Sequence, residues 1–515
     1  MTGAQSLVRT LIASGVDVCL TNPGTSEIHF VAALDAEPDM RAVLGLFEGV
    51  VTGAADGYAR MTGKPACTLL HLGPGLGNGL ANLHNARRAR VPVVNIVGEH
   101  ATYHRALDAP LTSDIESVAA NVSQWIRTSQ DAARAARDGA EAVAASYGPP
   151  GQVATLILPA DVAWSPGGVP AEPLPRRFPQ APDSERVEEV ARTVRAAGAQ
   201  STLLMNGTAL SEEGLLLAGK VAAATGARLF SDTFVTRAAR GAGRVAAGAL
   251  PYLGEMAMGL LEGTRHLVLV GTRAPVSFFA YPDKPGTLTP TGCQVLTLAE
   301  PFEDGVAALT ALVEALDATS AIAVTAPEER PPLPSGALTP EIVAQVVAHL
   351  LPDHAIVMNE GATAARAVPG LLARSAPHDW LDLTGGAIGQ GMPAATGAAL
   401  ACPDRKVVNL EADGSGMYTL QALWTQARES LDVTTVILSN RRYAILEMEY
   451  RRVGAGDPSA ATRGLFDLSR PELDWVGLAR GMGVDGMRAS TAEELASGLR
   501  RGIEEGGPYL VEAVL

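Results

Sequence analysis

The chain is poor in charge, in aromatic rings and in cysteine. Of its 515 residues, 18% are charged and 4% aromatic. The four cysteines, Cys19, Cys67, Cys293 and Cys402, are scattered and form no CxxC pair. That excludes a zinc knuckle or a disulfide scaffold and reads as reduced thiols serving as small apolar residues. No apolar run reaches the roughly 18 residues of a membrane span. Basic residues are outnumbered 40 to 55, a net charge of -15. Such a surface disfavours nucleic acid and anionic membranes as partners. The opening stretch, Met1 to Leu20, has no basic region or cleavage site and reads as an amphipathic helix entering a strand, so a cytoplasmic location is expected. No glycine-lysine-Ser/Thr follows any glycine-rich turn, which excludes a Walker P-loop. No short-period repeat is present.

What is present suits a large, well-packed globular protein. The apolar share is 47%, and the length fits about three domains at roughly 150 residues each. Two stretches rich in proline and charge, Gly167–Asp183 and Ala326–Pro340, read as linkers. They leave blocks 1–166, 184–325 and 338–515. Within each block, short Val/Ile/Leu runs alternate with Ala-rich helical stretches. Examples are Ala66–Leu70, Val153–Leu158, Ser201–Met205, His266–Val270, Val407–Leu410 and Thr434–Leu438. Continuous apolar runs of this kind suit strands buried on both faces. The expected class is α/β, with three doubly wound, mostly parallel sheets.

Ligands in such sheets bind where strands end and helices begin. Glycine-rich segments occupy four such places: Asn22–Ser26, Gly73–Gly79, Gly385–Gly391 and Asp413–Gly416. Gly389–Ala394 matches a GxGxxA dinucleotide fingerprint, with Glu411 about 20 residues on. A nicotinamide-dependent oxidoreductase is therefore one rival. The segment Val407–Ser415 carries more information. A buried strand ends at Asp413, and a Gly-Ser turn opens a helix with Leu420, Leu423, Trp424 and Ala427 on one face. A second strand ends at Ser439-Asn440, so the unit is βαβ and Asp413 and Asn440 emerge at one sheet edge. Alone, each reads as a helix cap or a turn residue. Together they suit Mg²⁺, which takes carboxylate and amide oxygens along with phosphate.

These motifs resemble those of the thiamine diphosphate (ThDP) enzymes of the acetolactate synthase, benzoylformate decarboxylase and pyruvate decarboxylase family. That family's Gly-Asp-Gly…Asn-Asn motif reads here as Ala412-Asp413-Gly414…Ser439-Asn440, with both side-chain ligands kept. The resemblance spans nearly the whole chain. Asn22–Thr25, Phe47-Glu48, Gly53–Arg60 and Gly73-Pro-Gly75 mark a pyrimidine-binding domain. Gly271–Arg273 and Phe278–Pro282 mark the central domain, and Gly386-Ala-Ile388 a diphosphate-binding domain. The resemblance implies ThDP and Mg²⁺, the metal being held by Asp413, Asn440 and the Arg442 carbonyl. It implies that Glu48 exchanges a proton with the pyrimidine ring, that the Gly386 carbonyl orients the amino group, and that Ile388 wedges the cofactor into a bent shape. Further cofactor contacts are expected at Pro23, Asn78, Gly361, Ala362, Thr363, Gly414 and Ser415. His71 and Thr25 align with catalytic positions of benzoylformate decarboxylase. His100, His104, Phe279 and Glu449 are candidate substrate contacts. FAD is not expected, because the central block is compact and lacks a flavin signature.

The implied substrate is a 2-oxo acid. Protonation after loss of carbon dioxide would make the enzyme a decarboxylase. Attack on a second carbonyl would make it a carboligase, and Gly386–Ile388 and Gly73–Gly75 lean towards the acetolactate synthase type. A homodimer or homotetramer is expected, since the family's cofactor lies between two subunits. A ThDP-fold protein that only binds a partner is the remaining alternative, and intact Glu48, Asp413 and Asn440 weigh against it.

Overall fold

The computed structural model describes residues 1–515. Three sheets form, each built chiefly from parallel strands. In the first, the spatial order is Arg41–Leu44, Val18–Thr21, Ala66–Leu70, Val93–Glu99, Val153–Pro159, Trp125–Thr128. In the third it is His378–Asp382, Ala355–Glu360, Val407–Ala412, Val433–Ser439, Tyr509–Val514, Asp485–Ala489. Ranked by sequence, both orders are second, first, third, fourth, sixth, fifth, so the outer domains share one plan. The middle sheet has five strands, with Ser201–Met205 at its centre. Strands such as Val93–Glu99 and Val433–Ser439 are buried throughout, as expected where helices cover both faces. No helix is long and apolar enough to cross a membrane.

The sheets are mostly parallel, as expected, with one antiparallel pairing, of Ala238–Arg240 from the central block with His378–Trp380 at the edge of the third sheet. One expectation needs correction: the helix expected after Asp413 is broken. A single turn, Asp413–Gly416, is followed by irregular chain and then a helix at Ala422–Arg428. The break lets the Thr419 hydroxyl donate to the Gly389 carbonyl at 2.9 Å, which a continuous helix would have carried past.

The domains are joined by close packing. The Glu48–Thr62 helix is buried from Glu48 to Met61 and stops at Gly63, in the left-handed region at φ 67°. It crosses the Gly391–Ala401 helix of the third domain at near backbone contact. A Cβ at Gly57 would lie 2.0 Å from the Ala394 carbonyl, and one at Gly397 would lie 1.9 Å from the Ala54 carbonyl. Beside this crossing, Arg60 and Asp56 form an ion pair at 2.8 Å with both side chains fully buried. Arg60 also donates to the carbonyls of Asp382 and Thr236 and to the Thr384 hydroxyl. One guanidinium thus satisfies groups from all three blocks, which offsets the cost of burying it. The largest apolar cluster runs unbroken from Val187 and Leu309 in the second domain to Val357 and Val436 in the third.

Candidate active site

Glu48 is the first residue of its helix and 7% exposed. Its Oε2 accepts from Asn78 Nδ2 at 3.0 Å. Asn78 lies on the next helix, Leu72–Ala89, which starts directly after His71. A Cβ at Gly75 would stand 3.2 Å from both Glu48 Oε1 and His71 Cβ, so the bare glycine lets carboxylate and histidine flank one turn.

His71 is held by a carboxylate that its motif did not single out. His71 Nδ1 lies 2.8 Å from Glu27 Oε2. Glu27 is 3% exposed and also accepts from Ser26 Oγ at 2.6 Å and from the Gly24 amide at 2.9 Å. A carboxylate only accepts, so Nδ1 carries the hydrogen and Nε2 is left for another partner. Thr25 is exposed; the hydroxyl beside the imidazole is that of Ser26, 3.3 Å from Nδ1. The sequence held one local signal for Glu27, a glutamate three residues after a turn glycine at the entry of a helix. Pro23 is exposed next to this cluster.

The second group of candidate residues lies on the third sheet. Val407–Ala412 and Val433–Ser439 are parallel neighbours, with Ala412 opposite Leu438. Asp413 and Asn440 therefore leave the sheet side by side. Asp413 Oδ2 accepts from the Arg441 amide at 2.5 Å and Oδ1 from the Gly414 amide at 2.9 Å. Burial pushes its carboxyl up to about 6 against these two donors. No side-chain cation hydrogen-bonds to it, and a divalent ion would supply the missing charge. Asn440 Oδ1 accepts from the Arg442 amide, and the Arg442 carbonyl from the Ala444 amide at 3.0 Å. One carboxylate, one amide and one carbonyl oxygen form a hard donor set that fits Mg²⁺. The Tyr443 ring packs on Gly414, where a Cβ would come within 2.4 Å of it. Gly361 approaches the end of the same sheet, 2.6 Å from Leu438 Cδ1 at the Cβ position, and Ala362 and Thr363 follow it in a 3-10 turn. Ser415 donates to Glu411 at 2.5 Å.

The Gly385–Gly389 turn runs beneath these elements. Gly386 and Gly389 are left-handed at φ 76° and 94°. Glu360 and Glu411 face each other across neighbouring strands, both in full burial. Glu360 accepts from the Gly389 amide at 2.7 Å and from the Gly391 amide. Burial raises Glu360 to about 7 and Glu411 well above the usual carboxylate range. This arrangement argues against the dinucleotide reading of Gly389–Ala394. The amides that would greet a pyrophosphate already bind a buried carboxylate, and Glu411 is sealed beneath Gly391 rather than free for a ribose.

Phe278, from the second domain, lies on Gly386, where a Cβ would come within 2.4 Å of its ring. It anchors an aromatic array with Phe234, Tyr252 and Phe279 at centroid distances of 5.8, 5.4 and 4.9 Å. Phe279 is half exposed and reaches the site through Phe278. Glu449 is buried and paired with Arg452 at 2.7 Å. The rings of His100 and His104 lie 5.4 Å apart, tilted by 57°, in the loop after Val93–Glu99. They make no hydrogen bond to Glu48, His71 or Asp413.

Comparison with known proteins agrees with this geometry. Residues 1–123 match the family of the thiamine pyrophosphate enzyme N-terminal TPP binding domain. Residues 362–513 match that of the C-terminal TPP binding domain. The chain is 54% identical, over 100% of its length and 99% of the relative's, to a Mycobacterium tuberculosis protein named as a candidate acetolactate synthase large subunit, IlvX. It is 29% identical to benzoylformate decarboxylase of Pseudomonas aeruginosa, covering 97% of this chain and 96% of that one. The thiamine diphosphate-dependent 4-hydroxybenzoylformate decarboxylase of Rhodococcus jostii superposes with a TM-score of 0.84 at 24% identity, over 100% and 99% of the two chains. With this full-length kinship, the chain belongs to the thiamine pyrophosphate enzyme family, as an enzyme related to acetolactate synthases and benzoylformate decarboxylases.

Proposed function

We propose that this enzyme, with ThDP and Mg²⁺ bound, decarboxylates a 2-oxo acid and protonates the carbon left behind, releasing an aldehyde and carbon dioxide. Asp413, Asn440 and the Arg442 carbonyl would hold the metal. Gly414, Ser415 and Gly361–Thr363 would receive the diphosphate, and Gly386 and Ile388 would orient the aminopyrimidine. When bound, the cofactor supplies a carbon nucleophile and an electron sink beside the substrate carbonyl. Glu48 exchanges a proton at its carboxylate with the pyrimidine ring nitrogen. His71, its Nδ1–H held by Glu27, would take up a proton at Nε2 from solvent and pass it to carbon as the imidazolium.

The observation that carries this reading is the 2.8 Å contact of His71 with buried Glu27, beside Glu48. In a carboligase the second carbonyl takes the place of the proton at carbon, and an acid would instead be needed at the acceptor's oxygen. The aromatic array on Gly386 favours a substrate with a flat or bulky apolar side chain. Incubating holoenzyme with pyruvate, 2-oxobutyrate and benzoylformate separates the outcomes. Aldehyde as the main product supports the reading. Acetohydroxy acid from pyruvate supports carboligation instead, the second reading, which the name of the 54% identical relative favours. Replacing His71 by Ala should slow aldehyde release more than the first turnover of carbon dioxide release.

A homodimer or homotetramer working in the cytoplasm completes the proposal. Exposed Leu46, Tyr418, Leu446 and Leu465 flank Glu48, the Asp413 turn and the segment after Asn440, an apolar surface suited to a second copy.

A further inference from the structure

Three asparagines, Asn78, Asn82 and Asn85, lie at i, i+4 and i+7 on the Leu72–Ala89 helix and so share one face. Asn78 reaches Glu48. The other two reach the turn that carries Ile388. Asn85 grips one residue at both of its peptide groups: its Nδ2 donates to the Ala387 carbonyl at 2.8 Å and its Oδ1 accepts from the Ala387 amide at 3.2 Å. Asn82 Nδ2 donates to the carbonyls of Gly389 at 3.1 Å and Gly49 at 2.8 Å. Its Oδ1 accepts from Asn85 Nδ2 at 2.9 Å. Asn82 is 2% exposed and Asn85 fully buried. Both hydrogens of each amide and both oxygens are used, and flipping either group would set oxygen against oxygen. A buried network so completely satisfied is stiff.

Glu360 and Thr419 close the turn from the other side, on the amide and carbonyl of Gly389. Each peptide group of Ala387 and Gly389 is therefore fixed. Gly386 and Ile388 make no hydrogen bond at all, and these are the two residues given to the cofactor. The arrangement immobilises the flanks and leaves the working atoms free.

We propose that Asn82 and Asn85 are positioning residues that set the Gly386–Ile388 turn in its cofactor-ready shape before ThDP arrives. Asn82 adds a second effect. It bridges Gly49, the neighbour of Glu48, and Gly389, the neighbour of Ile388, so one amide sets the glutamate helix and the turn, which in the proposed dimer serve two different sites. Preorganisation of this kind appears as affinity and turnover, because less ordering remains to be done on binding. The inference rests on the reading of Gly386 and Ile388 as cofactor contacts.

The test uses Asn85→Ala and Asn82→Ala, with Thr425→Val as a control. Thr425 also makes a bond between the first and third domains, to the Leu44 carbonyl at 3.0 Å, but makes no hydrogen bond to the turn. Two measurements are made on each: hydrogen exchange of the Ala387 and Gly389 amides in cofactor-free protein, and ThDP affinity with kcat at saturating cofactor. Both asparagine variants should exchange faster by tenfold or more at these amides. Their ThDP affinity should fall at least tenfold and kcat should stay depressed at saturation, while the control loses thermal stability alone. If exchange quickens but affinity and kcat match the wild type, the turn is clamped for folding only and the proposal falls. Should Asn85→Ala not fold, Asn82→Ala decides by the same criteria. Wild-type protein that binds no ThDP would overturn the cofactor reading and this proposal with it; unchanged amide exchange would overturn the proposal alone.

Discussion

The buried Glu48 carboxylate hydrogen-bonds to one side chain, Asn78. Glu48→Gln should therefore keep the fold and the bound cofactor while losing roughly 100- to 10,000-fold in turnover, the usual worth of a general acid–base group. Turnover near wild type would remove Glu48 from the chemistry. Asp413→Ala takes away the only carboxylate of the proposed metal site, and ThDP content of the purified protein should fall steeply. Asn440→Ala, which removes a neutral ligand, should lower it less. Full retention of ThDP and metal in both variants would place the metal elsewhere. His378 allows a stability test away from the site. Burial holds its imidazole at about 4, against an ordinary 6.5. Between those values the unfolded chain binds a proton that the folded chain refuses. The contribution is thus fully present above pH 6.5 and is lost as pH falls towards 4, by roughly 3 kcal/mol. Unfolding free energies of wild type and His378→Gln, compared from pH 7 to 4, should converge or cross by about that amount.

At the scale of elements, the crossing of Glu48–Thr62 with Gly391–Ala401 depends on the absence of side chains. Gly397→Val would drive its Cβ into the Ala54 carbonyl, which belongs to a helix that cannot retreat. A cost of about 1–3 kcal/mol or more is expected, read as a lower urea midpoint. An unchanged midpoint would mean that the helices separate easily. Strands and the glycine turns that follow them were legible from the chain because apolar runs and glycine act locally. The pairing of Asp413 with Asn440 was also legible, since a βαβ unit fixes which strand ends lie together. The grip of Glu27 on His71 was not, because 44 positions separate them and only the first sheet brings them together. The same holds for Glu360 and Glu411, each of which reads alone as a strand-end carboxylate. The broken helix after Asp413 was misread because Leu420, Leu423 and Trp424 keep helical spacing, while the reason for the break, the reach of Thr419 to Gly389, lies in another segment.

At the scale of the whole molecule, the proposed assembly puts Glu48 and Asp413 of one chain in different sites. Mixing Glu48→Gln with Asp413→Ala protein after dissociation and reassociation should then restore activity. A mixed dimer has one site with both lesions and one with neither. If both residues served one site within a chain, every site would carry a lesion and nothing would return. The three-sheet plan was readable from the alternation of runs and the two proline-rich linkers. The shared strand order of the outer sheets was not, since it depends on which strands pair.

The short strand Ala238–Arg240 has a consequence for how the parts of this chain can be exchanged. It closes the edge of the third sheet at His378–Trp380, whereas the matching edge strand of the first sheet, Arg41–Leu44, has no such cover and begins with two exposed residues. A fragment cut at the linkers would leave that backbone edge bare and open to pairing with other copies. The third domain is therefore not a self-contained module. Any recombination or domain grafting that moves it intact must carry three residues that lie, in sequence, inside its neighbour.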